Sequence, residues 1–385
     1  MKVYFDNAAT TALDPEVSDR MVDVMKNKFG NPSSIHSFGR EARTIIEAAR
    51  KTIAGILNVS PSEIFFTSGG TEANNTAITC AIRDYKIEHA ITSPIEHHAV
   101  LHTLEEQEKQ GKVKLHIVHL TQDGHVDLKH LEELLNTYSI SNNGKQHPPV
   151  FVSLMHANNE IGNLLPLDKV SELCSKYNAL LHTDTVQTMA HYKLDFKETK
   201  VHFASCSAHK FHGPKGVGFL YKSSDAKIKP FLFGGAQERN MRGGTENIYG
   251  IAGLAKAFEL AVSGMEKEQH HITELKNYMI AQITEKISDV RFNGDSKNGL
   301  YTVLNVSFPP SAASEMLLFN LDIQGVACSG GSACSSGSEI GSHVLAAIHS
   351  DKDRPSVRFS FSKYNTKAEV DFCVEKLSEI FAVRV

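Results

Sequence analysis

The chain has 385 residues, of which 41% are hydrophobic and 22% are charged. This length and composition predict two or three globular domains with sizeable cores and exclude a disulfide-stapled miniprotein. A net charge of -4 provides no basic field for nucleic acid or an anionic membrane, so we expect small ligands. No apolar run approaches the roughly 18 residues of a membrane span and no export signal is evident, which favours a cytoplasmic protein.

Apolar periodicity predicts alternating helices and strands. Ile46, Ile53 and Leu57 belong to a stripe at helical spacing, which predicts a helix beginning near Ser33. The alternation of strands with helices predicts an α/β fold with a mostly parallel sheet covered by helices and with ligand sites at the carboxyl ends of strands. The predicted strands lie at 64–67, 90–93, 113–120, 150–156, 179–183, 201–206 and 216–221.

After Gly234 and Gly235 the pattern changes to long helices. We predict two, at 247–263 and about 266–288, then strands near 301–308 and 355–361 and a closing helix. These elements predict a large domain over 13–258 and a smaller α+β domain formed by 1–12 and 259–385.

Lys210 lies between two apolar segments, in the run Ser-Cys-Ser-Ala-His-Lys-Phe-His-Gly-Pro-Lys-Gly over 205–216. One interpretation is a solvated surface cation, which leaves the neighbouring His, Gly and Pro residues unexplained. The other is a loop-borne amine that forms a Schiff base, since neighbouring cations or a dry pocket lower the pKa of such lysines. An aldehyde cofactor would suit this chemistry.

Asp184 ends an apolar strand upstream of Lys210. An Asp at such a position is often a helix cap. Beside a Schiff-base lysine, a carboxylate has a second use, because it keeps a pyridine nitrogen protonated and lets the ring take up electrons. The run Ser-Gly-Gly-Thr-Glu over 68–72 offers backbone amides, a hydroxyl and a helix start to a phosphate, with a plain strand-to-helix turn as the alternative.

These residues resemble the pyridoxal-phosphate enzymes of the aspartate-aminotransferase fold, and specifically the cysteine desulfurases of the NifS-like group. The resemblance implies a large domain with a mostly parallel sheet, and a smaller C-terminal α+β domain. The shared motifs are Tyr-Phe-Asp-Asn-Ala-Ala-Thr-Thr over 4–11, Gly-Asn-Pro-Ser-Ser over 30–34, the segment 67–75, Glu-His-His-Ala-Val over 96–100, Met-His-Ala-Asn-Asn-Glu-Ile-Gly over 155–162, the segments 182–187 and 205–216, and Met-Arg-Gly-Gly-Thr over 241–245.

The resemblance also implies roles for particular residues. Lys210 would bind pyridoxal 5'-phosphate covalently, and Arg358 would clamp the carboxylate of L-cysteine, with a structural salt bridge as the alternative for this arginine. Around the cofactor, the implied contacts are Asp184 at the ring nitrogen, Gln187 and Asn159 on the oxygen side of the ring with Asn159 also near the substrate, His97 stacked on the ring and moving protons, and Gly70, Thr71, Ser207 and His209 at the phosphate. Thr245 would reach the phosphate bound by a partner subunit, which implies a homodimer.

The sulfur chemistry is assigned by the same resemblance to Cys334, in a segment over about 328–338 that is rich in Gly and Ser and therefore expected to be mobile. Its persulfide would be passed to a protein acceptor for iron-sulfur cluster assembly or tRNA thiolation, with Cys334 as a transient cluster ligand on a scaffold. Cys328 is either a buried strand-end residue or a second thiol that resolves the persulfide.

Two other functions are compatible with these residues. The same lysine and clamp would serve a selenocysteine lyase or another pyridoxal-phosphate lyase or aminotransferase. A non-catalytic sulfur carrier or metal-binding protein could use Cys328, Cys334 and the histidines, although His97, His98 and His102 have no acidic or cysteine ligand at a zinc-like spacing nearby. We therefore predict no metal site and no direct contact with nucleic acid.

Overall fold

A computed structural model describes residues 1–139, 148–311, 316–330 and 341–382. The strands are β1 (Val3–Tyr4), β2 (Ile64–Thr67), β3 (His89–Thr92), β4 (Lys114–Ile117), β5 (Phe151–Ser153), β6 (Leu180–Asp184), β7 (Phe203–Ser207), β8 (Gly218–Lys222), β9 (Arg291–Asn293), β10 (Val303–Ser307), β11 (Val326–Ala327) and β12 (Ser356–Ser360). The helices are α1 (Pro15–Asn27), α2 (Ser37–Ile56), α3 (Gly70–Tyr85), α4 (His98–Lys109), α5 (Leu128–Ser139), α6 (Leu167–Lys176), the single turn α7 (Gln237–Asn240), α8 (Ile248–Lys286), α9 (Leu317–Ile323), α10 (His343–Ala347) and α11 (Lys367–Ala382).

The central element is a seven-stranded sheet in the order β2-β8-β7-β6-β5-β3-β4. Strands β3 to β7 run parallel, and β8 runs antiparallel to both of its neighbours. Because β2 and β7 are both antiparallel to β8, β2 points in the same direction as the parallel strands. The carboxyl ends of β2, β3, β5, β6 and β7 therefore meet at one edge, and the predicted mostly parallel sheet is confirmed.

Helices cover both faces of this sheet. Consecutive strand residues point to opposite faces, so Phe203 packs with α3 and α4 while Ala204 packs with α2 and α8. The pairs Phe151 with Val152 and Leu180 with Leu181 divide in the same way between the two apolar layers. A strand that is buried on both faces needs apolar residues on both, which is why apolar residues are consecutive at the start of β5 and of β6.

A second apolar core lies in the C-terminal part. It is formed by the antiparallel sheet β12-β10-β9, the C-terminal half of α8, and α11, with Val3 and Phe5 from the N-terminus. Strand β1 pairs with β11, which joins the N-terminus to the C-terminal part of the chain. The division into domains 13–258 and 1–12 with 259–385 stays a prediction.

Two helix predictions are wrong. Helix α2 begins at Ser37 instead of near Ser33, because the Asn31 side chain accepts a hydrogen bond from the Ser33 amide and closes a turn there. The two helices predicted around residues 247–288 are one helix, α8, which continues through Gly264. By length and composition α8 could cross a membrane, but its buried residues belong to the two protein cores.

Candidate active site

A cavity of about 270 Å³ lies at the carboxyl edge of the sheet. It brings together most of the predicted site residues, namely Gly70, Thr71, His97, Asn159, Asp184, Gln187, Ser207, His209, Lys210 and Arg358. Larger clefts of about 930 and 1060 Å³ lie elsewhere and are lined by none of these residues. Thr245 is exposed and does not line the cavity, and Cys334 lies outside the described residues.

Lys210 ends a short 3-10 turn that directly follows β7. Its Nζ donates hydrogen bonds to the carbonyl oxygens of Ala8 at 2.6 Å and Ala9 at 2.8 Å. Gln187 Nε2 donates to the same Ala8 oxygen at 3.1 Å. The amine is therefore held at the wall of the cavity by the N-terminal segment, which is not the environment of a solvated surface cation.

Asp184 ends β6 and is 5% exposed. Its Oδ2 accepts a hydrogen bond from Asn74 Nδ2 at 2.7 Å, and its Oδ1 accepts one from the Val186 amide at 2.9 Å. The carboxylate thus closes a local turn after β6 and also faces the cavity, but it is not a helix cap, because residues 185–190 form a turn and not a helix. These two bonds fix its orientation.

A chain of buried side chains extends behind Asp184. His182 Nε2 lies 3.1 Å from Asn74 Oδ1, and His182 Nδ1 lies 2.8 Å from Ser153 Oγ. Burial lowers the pKa of His182 to about 4, so the ring is neutral at pH 7. Because an amide oxygen only accepts, Nε2 carries the proton and Nδ1 accepts from Ser153. Since the Asn74 side-chain oxygen accepts from His182, the Asn74 side-chain nitrogen is the group that donates to Asp184.

The start of α3 gives the cavity a wall that is suited to an anion. Helix α3 begins at Gly70, and its cap residue Gly69 has φ +152° and no side chain to bond the first amides. A Cβ atom at Gly70 would lie 2.6 Å from a Val186 methyl carbon. Glycine at 70 is therefore required by this close approach, and the helix start leaves amide donors near the Thr71 and Ser207 side chains for a phosphate.

Two histidines line the cavity in the neutral form. His97 Nδ1 accepts the Ala99 amide at 3.1 Å and caps α4, so its proton is on Nε2. Burial is the largest cause of the lowered pKa of His97, and nearby Asp184 acts in the opposite direction. Burial is the largest cause that lowers the pKa of His209 to about 4, and the positive charge of Lys210 is the second. His209 Nδ1 lies 3.1 Å from Thr10 Oγ1.

Arg358 lies on β12, with its side chain 1% exposed. Nη1 donates to the Asn159 carbonyl at 2.9 Å, and Nη2 donates to Asp6 Oδ1 at 2.8 Å. The structural salt bridge considered from the sequence is therefore present, and the same guanidinium also lines the cavity. Its Nε is buried without a partner among the described residues.

Sequence reasoning missed four polar residues of this region, Asp6, Asn74, Glu96 and His182. Glu96 Oε1 accepts the Ser93 hydroxyl at 2.7 Å and the Met155 amide at 2.9 Å. Complete burial raises the pKa of Glu96 to about 8. Only His182 carried a usable signal, since it precedes Asp184 by two residues and points to the same face of β6.

The other cysteine of the sulfur segment follows β11. Cys328 is partly exposed as a residue. The pKa of its thiol is raised to about 12, mainly by burial and secondly by the negative charge of Asp6. This supports the interpretation of Cys328 as a strand-end residue, because a thiol that stays protonated is a poor nucleophile.

These residues fit pyridoxal 5'-phosphate. An amine for the aldehyde, a carboxylate for the ring nitrogen and an anion-binding helix start line one cavity. In that arrangement Lys210 would hold the aldehyde carbon, Asp184 the ring nitrogen, and Gly70, Thr71, Ser207 and His209 the phosphate. The roles of the individual residues stay predictions.

Comparisons with known proteins agree with this site. The family described as Aminotransferase class-V matches residues 3–372. A relative named cysteine desulfurase IscS, from Dictyoglomus turgidum, is 44% identical over 98% of this chain and 94% of its own length. Among solved structures, a NifS-like protein has a TM-score of 0.90 with 36% identity over 100% of both chains. SspA in complex with cysteine has a TM-score of 0.80 with 30% identity over 95% of this chain and 100% of that one.

The match to the family spans nearly the whole sequence, including both strands of the β1–β11 pair. Each of the three proteins is itself covered almost completely by this chain. The chain therefore belongs to the pyridoxal-phosphate-dependent class-V aminotransferase family, and within it to the cysteine desulfurases.

Proposed function

We propose that the protein removes sulfur from L-cysteine, releases L-alanine and retains the sulfur as a persulfide on Cys334. The observation that carries this proposal is the meeting of Lys210, Asp184 and Arg358 at one 270 Å³ cavity. An amine, a carboxylate and a guanidinium provide respectively for an aldehyde cofactor, its ring nitrogen and an amino-acid carboxylate. The cysteine bound to SspA, and the activity in the name of the Dictyoglomus relative, support L-cysteine as the substrate.

The protein's own groups orient the substrate and move its protons. When bound, pyridoxal phosphate supplies an electron sink for the α-carbon of the amino acid. Arg358 binds the carboxylate through N–H groups that its protein partners leave available, and it fixes the α-carbon near Lys210. Lys210 Nζ takes and returns the α-proton, while neutral His97 holds a proton at Nε2 that it donates during the reaction.

The sulfur step balances without an added oxidant. One L-cysteine and one Cys334 thiol give one L-alanine and one enzyme persulfide, because the new sulfur-sulfur bond replaces the carbon-sulfur bond and the carbon gains a proton. The Cys334 thiolate attacks the substrate sulfur, and the bonding electron pair stays with the carbon. The Gly- and Ser-rich composition around Cys334 supports its assignment as the accessible thiol.

The test replaces Cys334 with Ser and uses Cys328→Ser as the matched control. We expect the Cys334→Ser protein to keep its near-visible absorption band but to form no alanine and no persulfide by mass spectrometry. The control should form both, because the high pKa of the Cys328 thiol keeps it protonated. A persulfide retained by Cys334→Ser would transfer the role to another cysteine, and colourless purified wild-type protein would refute the enzymatic function.

The proposal includes a homodimer. Support comes from large apolar side chains that the single chain leaves exposed, with Phe29 73% and Ile35 91% exposed. Thr245 is exposed outside its own cavity, as expected for a residue that contacts a partner's phosphate. We expect light scattering to give about twice 42.4 kDa for the native protein and a lower mass for Ile35→Glu. A wild-type mass of one chain would contradict the homodimer.

The acceptor of the sulfur is proposed to be another protein, either an iron-sulfur scaffold or a carrier for tRNA thiolation. The IscS names of the relatives support the first of these. Transfer of labelled sulfur from the Cys334 persulfide to a candidate scaffold protein would test this step. Parallel assays with L-selenocysteine would show whether the cavity distinguishes sulfur from selenium.

A further inference from the structure

The guanidinium of Arg358 is held by two elements that are distant in sequence. The backbone of Arg358 pairs with Ser329, since the Arg358 amide donates to the Ser329 carbonyl at 2.6 Å. Its side chain donates to Asn159 O and to Asp6 Oδ1. The ion pair between Arg358 and Asp6 spans 352 residues of sequence and is largely buried, with the two side chains 1% and 20% exposed.

Asp6 is fixed by further contacts on both sides. The Ser329 hydroxyl donates to the same Oδ1 atom at 2.8 Å. The Asp6 carbonyl accepts the Ala9 amide at 3.0 Å, which closes a turn whose Ala8 and Ala9 carbonyls bind Lys210 Nζ. One N-terminal turn therefore positions both cations of the cavity. Asp6 itself does not line the cavity, so any effect on the substrate has to pass through Arg358.

The remaining donors of Arg358 are those that a substrate needs. A guanidinium has five N–H groups in a planar fork, and a carboxylate binds two of them in parallel. Asp6 and Asn159 account for one N–H each, on Nη2 and Nη1. The Nε group is buried without a partner among the described residues. The plane of the fork is thus set by its protein partners before the substrate arrives.

We propose that Asp6 is a positioning residue that orients the Arg358 fork for the carboxylate of the amino-acid substrate. This inference rests on the proposed function and names a further residue of the same site. Asp6 acts by accepting a hydrogen bond at a defined place, and its negative charge is not needed for the orientation. The alternative effect, competition of Asp6 with the substrate carboxylate for the guanidinium, would have the opposite sign.

Two substitutions separate these effects. Asp6→Ala removes the acceptor, and we expect KM for L-cysteine to rise about 10-fold or more while kcat stays within about 3-fold. Asp6→Asn retains an oxygen that can accept from Nη2, and we expect KM to stay within about 3-fold of wild type. If Asp6→Ala does not fold, Asp6→Ser replaces it. The serine side chain is shorter than that of aspartate, so its hydroxyl does not reach Arg358 Nη2 and the acceptor is still lost.

The matched control is Asp289→Ala. Asp289 pairs with Arg354, another buried arginine, with 2.7 Å between Nη1 and Oδ2, but neither residue lines the cavity. This variant also removes the carboxylate that pairs with a buried arginine, although the Asp289 side chain is 58% exposed, and it should leave KM unchanged. Titration of the holoenzyme with L-alanine gives a second readout, and we expect its Kd to rise about 10-fold or more in Asp6→Ala and not in Asp289→Ala.

Each result bears on the inference. An unchanged or lowered KM and Kd in Asp6→Ala would overturn it, as would equal increases in Asp6→Ala and Asp6→Asn. Wild-type protein that binds L-alanine but forms no product from L-cysteine would refute the proposed function alone, because the Kd series would still test Asp6.

Discussion

Replacement of Glu96 by Gln is expected to change how the stability of the protein depends on pH. Glu96 is 1% exposed, and burial raises its pKa from 4.5 to about 8 in the folded protein. Between these values the folded state retains a proton that the unfolded state has lost, so wild-type stability falls as the pH rises. The difference of 3.5 between about 8 and 4.5, at about 1.4 kcal/mol per pH unit, gives a loss of about 5 kcal/mol.

Glutamine at this position cannot titrate but keeps the acceptor that bonds Ser93 and Met155. We therefore expect Glu96→Gln to be progressively more stable than wild type from pH 5 to pH 8, with the difference constant above about pH 9. Urea unfolding of the holoenzyme at fixed protein concentration measures this difference at each pH. Glu132→Gln, at an exposed position, is the control and should give a constant difference over the same range.

A constant difference for Glu96→Gln, within about 1 kcal/mol from pH 5 to pH 9, would refute the reasoning. It would mean that the Glu96 carboxylate is solvated or paired in the folded protein. A larger wild-type stability at high pH would also contradict it, since the sign follows from burial being the largest cause of the raised pKa.

Three other predictions concern the same site. Lys210→Arg should be purified without the near-visible band that borohydride shifts in wild type, and retention of both the band and the activity would contradict the role of Lys210. Asn74→Ala leaves Asp184 Oδ2 and His182 Nε2 without their partners. We therefore expect calorimetry to show about 1 to 3 kcal/mol less stability per unpaired group and equilibrium dialysis to show weaker cofactor binding, with Asn75→Ala, at a half-buried neighbour, as the control. Iodoacetamide at pH 8 should label Cys328 far more slowly in native than in urea-unfolded protein, because its thiol has a pKa of about 12, and equal rates by peptide mass mapping would contradict this burial.

Much of the central sheet was predictable from local sequence. Strand β2 lies at the predicted residues 64–67, and the other predicted strands of the sheet each overlap an observed one, with ends that differ by one or more residues. A strand buried on both faces needs consecutive apolar residues, and an amphipathic helix needs an apolar stripe. Both patterns involve residues that are close in sequence, so they can be recognised without the tertiary structure. The glycine-containing run over 68–72 and the lysine-containing run over 205–216 also indicated the site, because each is a local pattern of neighbouring residues at the end of a strand.

The wrong predictions show where local sequence is insufficient. The periodicity predicts two helices, at 247–263 and about 266–288, but α8 continues through Gly264 because a glycine costs a helix only about 1 kcal/mol and packing against two cores outweighs it. Similarly, Asn31 and Ser33 form a turn that delays the start of α2 to Ser37. In both regions the bounds of the helix depend on contacts that cannot be recognised from the periodicity of apolar residues.

The sequence by itself determined the order of strands and helices and the residue types that point to pyridoxal phosphate and a sulfur substrate. The tertiary structure alone decided which side chains support them: Asn74 reaches Asp184 across 110 residues, and Asp6 reaches Arg358 across 352. Periodicity specifies the face on which a residue lies, whereas a hydrogen bond requires two atoms within about 3 Å. That proximity arises only when the chain closes around the sheet edge and the N-terminal turn is brought beside β12.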